Sequence, residues 1–310
     1  MDAFLISLKT VLPLFLIILT GLAFSRLKAA NENWVEILNK YAYWIGFPAL
    51  VIFSLMKLDL TGNTYSTFII LNSVFILGSM ILVFPLAKIF NWSVNVKRSM
   101  FIIIPFGNVT YLGIPILQNA FGNKILPEAA IVSAVYVFWL LTLAILLIEI
   151  YGEEKVNIKK LVLRLFKNPL LISVFIGLAI VFLRIPIPEF AEKTLKLFAD
   201  SVTAVVLFSL GIFLGKQKLG QLKDWIFVAL ICIFTMIVLP YIFYRIVKPF
   251  SLQNANIDII ILEAAMPLGV TPYVLSVQYK LKTELITRVI VFGTLISVFI
   301  IPLWMMILSS

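Results

Sequence analysis

The sequence predicts an all-α membrane protein of ten transmembrane helices, arranged as a five-plus-five inverted repeat with two broken helices that cross. Three observations carry that prediction. Of 310 residues 62% are hydrophobic and only 13% charged, with a mean hydropathy of +1.09, against roughly 45–50% apolar in a soluble domain. The chain also repeats itself: Pro13, Gly21, Leu22 and Ala23 recur as Pro169, Gly177, Leu178 and Ala179, shifted by 156, and Gly113-Ile114-Pro115 recurs as Val270-Thr271-Pro272, shifted by 157. Finally, 17 of the 25 lysines and arginines fall in the loops after the odd-numbered helices.

Ten apolar stretches of about membrane-spanning length run through 4–24, 38–56, 67–87, 99–120, 129–149, 169–184, 198–215, 225–246, 258–278 and 286–308. They are too long and too uniformly apolar for alternating barrel strands. The first has no basic start and no small-residue cleavage site, so it is expected to be a retained helix and not a signal peptide. The sixth is the shortest. Residues 1–150 form the first repeat, 151–168 a linker and 169–310 the second repeat.

The basic loops carry Arg26, Lys28 and Lys40; Lys88, Lys97 and Arg98; Lys155, Lys159, Lys160, Arg164 and Lys167; Lys216, Lys218 and Lys223; and Lys280, Lys282 and Arg288. The positive-inside rule puts these in the cytoplasm and both termini outside, with the 151–168 loop cytoplasmic. Five helices per copy is an odd number, so the second copy enters the membrane inverted. The same bias accounts for most of the net charge of +10, and no nucleic-acid partner is needed to explain it. The linker's KKLVLRLFKN is expected to be a basic amphipathic helix on the inner leaflet.

Chemistry concentrates in the fourth and ninth helices. The fourth, FIIIPFGNVTYLGIPILQNAFG, holds Pro105, Gly107, Asn108, Thr110, Gly113, Pro115, Gln118 and Asn119 in an apolar run; the ninth, IIILEAAMPLGVTPYVLSVQYK, holds Glu263, Pro267, Gly269, Thr271, Pro272, Ser276 and Gln278. A proline removes a backbone donor and disturbs the carbonyl four residues back, which for Pro115 is that of Tyr111. Polar groups freed at membrane depth must be buried in protein or line a cavity. Two such breaks, brought together by an inverted repeat, present half-helix N-termini suited to an anion. The expected substrate contacts are Asn108, Thr110, Gly113, Ile114, Pro115, Gly269, Val270, Thr271 and Pro272. Glu263, an intramembrane carboxylate, and Gln278 are candidates for a coupling ion, H⁺ or Na⁺. Asp200, Glu149 and Asp258 stand at helix ends, and Lys9 is placed to snorkel.

The stretches Asn108–Gly122 and Met266–Ser276 resemble the two crossover-helix motifs of the auxin efflux carrier superfamily, which includes plant PIN-type carriers and bacterial malonate-transporter-like members. The match is close at Asn108, Gly113, Ile114, Pro115, Pro267, Gly269 and Pro272. The resemblance implies a scaffold of helices 1, 2, 6 and 7, a transport part of helices 3–5 and 8–10, a homodimer through the scaffold, and elevator-type movement. It also draws attention to helix 3: the plant carriers have an acidic residue near the substrate, and this chain has Asn72 and Ser73, so Asn72 joins the expected substrate contacts. The central loop is short where the plant carriers have a long hydrophilic one, so their phosphorylation control is not implied.

The expected function is therefore secondary transport, of the efflux type, of small organic carboxylate anions such as auxin-like or dicarboxylic acids. A sodium- or proton-coupled symporter of organic anions, on the related bile-acid symporter fold, is the alternative. An intramembrane enzyme is the rival from another class. No His-Glu-x-x-His, no intramembrane aspartate pair and no Gly-x-Ser-x-Gly elbow is present, so no catalytic residues are expected. Histidine is absent and Cys232 is the sole cysteine, leaving no expected metal site, cofactor or intrachain disulfide.

Overall fold

The computed structural model describes residues 2–28, 30, 33–56, 64–152, 158–217, 225–249 and 254–308, and all regular structure among them is helical. Met1, Ser310, Lys155, Lys218 and Lys223 lie outside the described residues. In chain order the α-helices are α1 (Asp2–Phe24), α2 (Asn33–Tyr41), α3 (Phe47–Leu55), α4 (Thr64–Ile89), α5 (Val94–Ile103), α6 (Ile114–Phe121), α7 (Leu126–Trp139) and α8 (Ile145–Ile150). The second half of the chain gives α9 (Ile158–Phe166), α10 (Pro169–Phe182), α11 (Glu189–Lys216), α12 (Trp225–Ile233), α13 (Leu239–Val247), α14 (Asn254–Ala264), α15 (Thr271–Gln278) and α16 (Thr283–Leu308).

Among the described residues, six continuous helices are long and apolar enough to cross a membrane: Phe4–Phe24, Tyr65–Ile89, Asn123–Ile150, Glu189–Lys216, Trp225–Val247 and Thr283–Leu308. The other four predicted stretches also lie on helix, but differ for physical reasons. That at 38–56 is continued backwards by the polar α2. Those at 99–120 and 258–278 are each split by a non-helical segment, and α10 has only 14 residues.

Several helices contain a π-helical turn. Such turns occupy Ala42–Gly46, Val109–Gly113, Leu140–Ala144 and Phe234–Val238. Pro48, Pro115 and Pro240 each follow a turn by two residues. A proline ring collides with the carbonyl of the preceding turn and offers it no N–H, and one widened turn relieves both faults without ending the helix. Leu140–Ala144 has no proline after it.

In lipid, apolar surface alone does not draw helices together, so close contact depends on small residues. Gly21 on α1 lies against the Phe208 backbone of α11, and Gly211 on α11 lies against the Ile18 backbone of α1; a side chain at either position would overlap the other helix. Gly177 on α10 faces α3, where a β-carbon would come within 2.8 Å of Leu55 Cβ. Helices α1 and α11, α3 and α10, α4 and α7, and α12 and α16 form the main packed pairs.

At one end, Arg98 of α5 ties other elements together. Its Nε donates to the Ile148 carbonyl at 3.0 Å and an Nη to the Tyr279 carbonyl at 3.3 Å, while Ser99 Oγ accepts from the Lys282 N–H at 3.0 Å. Arg98 thus satisfies carbonyls in the last turn of α8 and just past α15 that have no helical partner of their own. The expected amphipathic linker helix is α9, with Ile158 and Phe166 strongly exposed.

Candidate functional site

The site is built from the two interruptions. Residues 104–108 separate α5 from the π turn that leads into α6, and residues 265–270 separate α14 from α15. Each interruption has a proline, Pro105 or Pro267, followed two residues later by a glycine, Gly107 or Gly269. The prolines prevent the helix from continuing, and the glycines let the two segments of chain touch. A β-carbon at Gly107 would come within 2.9 Å of both Met266 Cβ and the Met266 carbonyl oxygen; one at Gly269 would come within 3.0 Å of Asn108 Oδ1. The Asn108 N–H donates to the Pro267 carbonyl at 2.6 Å. The two breaks are therefore in direct contact.

Their register differs from the expected one. Pairing by sequence matched Pro115 with Pro272 at a shift of 157, whereas the breaks themselves match Pro105 with Pro267, Gly107 with Gly269 and Tyr111 with Tyr273, all at a shift of 162. Tyr111 packs edge-on against Phe47 of α3, with ring centroids 4.9 Å apart, and Tyr273 packs edge-on against Phe213 of α11 at 5.3 Å. Pro115 lies seven positions beyond the first break, and Pro272 lies two positions beyond the second.

Asn108 is the last residue of its break and caps the helix that follows. Its Oδ1 accepts from the Tyr111 N–H at 3.2 Å, and its carbonyl accepts from the N–H groups of Leu112 and Gly113 at 3.1 and 2.9 Å. The side-chain oxygen is thereby committed to the cap, so the amide nitrogen points away from it. That Nδ2 is buried and has no hydrogen-bond partner among the described residues. A buried donor left without an acceptor costs about 1–3 kcal/mol.

Asn108 forms part of the wall of a cavity of about 150 Å³. Of the expected substrate contacts, Asn108, Thr110, Gly269, Thr271 and Pro272 line it; Gly113, Ile114, Pro115 and Val270 do not. Among the described residues no charged side chain lines it. The rest of the wall is mostly apolar and aromatic, with Phe47, Phe106, Tyr111, Tyr136, Val137, Leu140, Leu141 and Leu170, and two polar residues that sequence reasoning missed, Tyr43 and Asn168.

Asn72 sits elsewhere, fully buried on α4, with Nδ2 donating to the Phe68 carbonyl at 2.8 Å on its own helix. Its Oδ1 has no partner among the described residues. Gln278 is exposed at the far end of the eight-residue α15 and is not brought to Glu263.

Glu263, by contrast, is fully buried in the last turn of α14, and neither carboxylate oxygen has a hydrogen-bond partner among the described residues. It lies behind the cavity wall rather than in it. A β-carbon at Gly113 would sit 3.0 Å from the carboxylate carbon, so the absence of a side chain at Gly113 makes the room that Glu263 fills. The buried Tyr136, whose hydroxyl is also without a partner among the described residues, lines the cavity.

Comparison with known proteins gives a consistent result. The profile of the membrane transport protein family matches residues 6–305. An uncharacterized transporter of Methanocaldococcus jannaschii is 25% identical over 307 residues, covering 97% of this chain and 98% of that protein. Auxin efflux carrier component 8 of Arabidopsis thaliana is 30% identical over 112 residues, 36% of this chain and 30% of the plant protein. Component 3a of Oryza sativa is 26% identical over 152 residues, 47% of this chain and 24% of its own length. The match to the plant carriers is therefore partial, whereas the family profile and the archaeal relative span nearly the whole chain. On that footing the chain belongs to the membrane transport protein family of the auxin efflux carriers, and it is a membrane transporter, not an enzyme.

Proposed function

We propose that the chain carries small organic carboxylate anions, bound where the helices of the 99–120 and 258–278 stretches cross, by elevator-type alternating access. In this reading the protein has ten transmembrane helices in a five-plus-five inverted repeat, with both termini outside and the 151–168 linker in the cytoplasm. The scaffold is α1, α2–α3, α10 and α11, through which two copies form a homodimer. The transport part is α4–α8 and α12–α16.

Three pairs of contacts support the repeat. Gly21 packs on α11, and its repeat mate Gly177 packs on α3; helices 7 and 2 are themselves repeat mates. Tyr111 and Tyr273 likewise meet α3 and α11. The pairs α4 with α7 and α12 with α16 repeat the packing of helix 3 on helix 5 as helix 8 on helix 10. The cavity falls on the boundary between the two parts, with Tyr43, Phe47 and Leu170 on the scaffold side and Asn108, Thr110 and Thr271 on the other. An elevator carrier holds its cargo at such a boundary.

The observation that carries the choice of cargo is the buried Nδ2 of Asn108, which has no partner among the described residues, beside a helix start in a cavity that no charged side chain of the described residues lines. The amide, the hydroxyls of Thr110 and Thr271 and the positive half-helix ends all favour an acceptor bearing negative charge. The apolar remainder suits a carbon skeleton. Purified protein in liposomes, offered radiolabelled monocarboxylic, dicarboxylic and indole-type acids with and without ion gradients, tests this directly. Saturable flux of at least one acid supports it, and flux of none sinks it.

A second reading, coupling to H⁺ or Na⁺, is favoured by Glu263. A carboxylate buried without a partner among the described residues, packed directly behind the crossing chains, is placed to exchange a cation as those chains move. Gln278, exposed at the end of α15, is not a partner for it.

A further inference from the structure

Tyr43 and Asn168 line the same cavity as the helix breaks, and their hydrogen bonds leave one donor without an acceptor among the described residues. Asn168 caps α10: its Oδ1 accepts from the N–H groups of Leu170 and Leu171 at 3.0 and 3.2 Å. With the oxygen committed, the other end of the amide must be the nitrogen, and Nδ2 donates to the Tyr43 hydroxyl at 3.2 Å. Tyr43 is therefore the acceptor in that bond. Its own proton has no acceptor among the described residues, and both side chains line the cavity. Had the amide been free to turn, the hydroxyl could accept or donate as the occasion required. The cap removes that freedom.

We propose that Tyr43 is a specificity-determining residue, whose hydroxyl donates to a second acceptor on the cargo, carried at the end remote from the carboxylate held by Asn108. The inference rests on the carboxylate reading above and narrows it. Asn108 and Tyr43 both line one small cavity and each keeps a hydrogen-bond donor without an acceptor among the described residues, so the cargo that satisfies both has two acceptor groups: a dicarboxylate, or an oxo- or hydroxy-carboxylate. A molecule with an N–H at the far end, as in an indole-type acid, sets donor against donor. A purely aliphatic far end leaves the Tyr43 proton unpaired. Either mismatch is a penalty on the wrong cargo rather than a gain for the right one, which is how a buried polar group achieves discrimination.

The test compares binding of succinate and butyrate, of equal carbon number, to purified full-length protein and to two variants. Tyr43→Phe removes the hydroxyl and keeps the ring. Asn168→Asp keeps an N-cap oxygen for α10 but presents an acceptor to Tyr43, turning its proton away from the cavity. The expected result is that the wild-type chain prefers succinate by about tenfold to a hundredfold, the range for a hydrogen bond to a charged group. Both variants should lose that preference: succinate weakens because its second carboxylate loses a donor, and butyrate tightens because no Tyr43 proton is left unpaired against it. A preference kept in Tyr43→Phe overturns the proposal. So does a wild-type chain that binds butyrate or an indole-type acid as well as succinate, in which case the carboxylate reading stands without it. Binding of no organic acid at all overturns both.

Discussion

The backbone N–H of Asn108 donates to the carbonyl of Pro267, 159 positions away, at 2.6 Å. This bond joins the two interrupted helices at the point where neither can supply its own partner. The Pro267 carbonyl sits in non-helical chain, and the Asn108 N–H is among the donors that a helix start leaves unpaired. With N–H, carbonyl and Oδ1 all engaged, only Nδ2 is left without a partner among the described residues, and the proposed reading assigns it to the cargo.

Replacing Asn108 with Ala removes that donor together with the cap on Tyr111. Affinity for a carboxylate is expected to fall by about tenfold to a hundredfold, with the protein still folded and inserted. Equilibrium binding to detergent-purified variant checks it, and unchanged affinity removes Asn108 from the site.

Gly269→Ala places a methyl 3.0–3.2 Å from three atoms of the Asn108 side chain. The amide must move, so affinity should drop without a large change in melting temperature. Gly113→Ala pushes instead against the Glu263 carboxyl group, which is enclosed. Overpacking of that kind costs about 1–3 kcal/mol, and a lowered Tm in a detergent thermal-shift assay is the expected result.

Glycine substitutions also separate helix packing from helix propensity. Gly21→Leu and Gly177→Leu should both destabilise the protein, since each would force a packed helix pair apart. A β-carbon at Gly78 would meet nothing within 4 Å, and Gly78→Ala should be neutral or stabilising by up to about 1 kcal/mol. A thermal-shift series on the three variants decides whether the matched glycines play matched parts.

Glu263→Gln keeps the shape of the side chain and removes its ability to ionise. If this carboxylate exchanges a coupling cation, gradient-driven accumulation is expected to vanish while exchange of cargo down its own gradient persists. Liposome assays run in both modes check this. Survival of accumulation would make Glu263 structural.

The sequence made some of this legible and concealed the rest for identifiable reasons. The apolar helices follow from composition, and the broken helices from prolines and glycines in apolar runs. Asn108 stood out because an amide is costly there. The register of the second motif did not stand out: PFGNVTY and PLGVTPY carry one unmatched residue each, Asn108 in the first and Pro272 in the second, and a gapless comparison favours the wrong prolines. Gln278 looked close to Thr271 in sequence, yet a rise of about 1.5 Å per residue puts it about 10 Å further along α15. Asn72 spends its donor on its own helix, as buried short polar side chains do. Asn168 before Pro169 is a recognisable helix start, but nothing in the sequence says that this start faces the cavity or that Tyr43 waits beside it.

Cys232 is buried at 1% exposure and is the sole cysteine, so the native chain offers little background to a water-soluble thiol reagent. Thr271 is exposed at the cavity wall. In Thr271→Cys, labelling by a hydrophilic maleimide should be rapid and should be slowed in a saturable way by the transported carboxylate, with half-protection at the concentration that half-saturates flux. Labelling that proceeds at the same rate at every carboxylate concentration would contradict a carboxylate site at the crossing of the two helices.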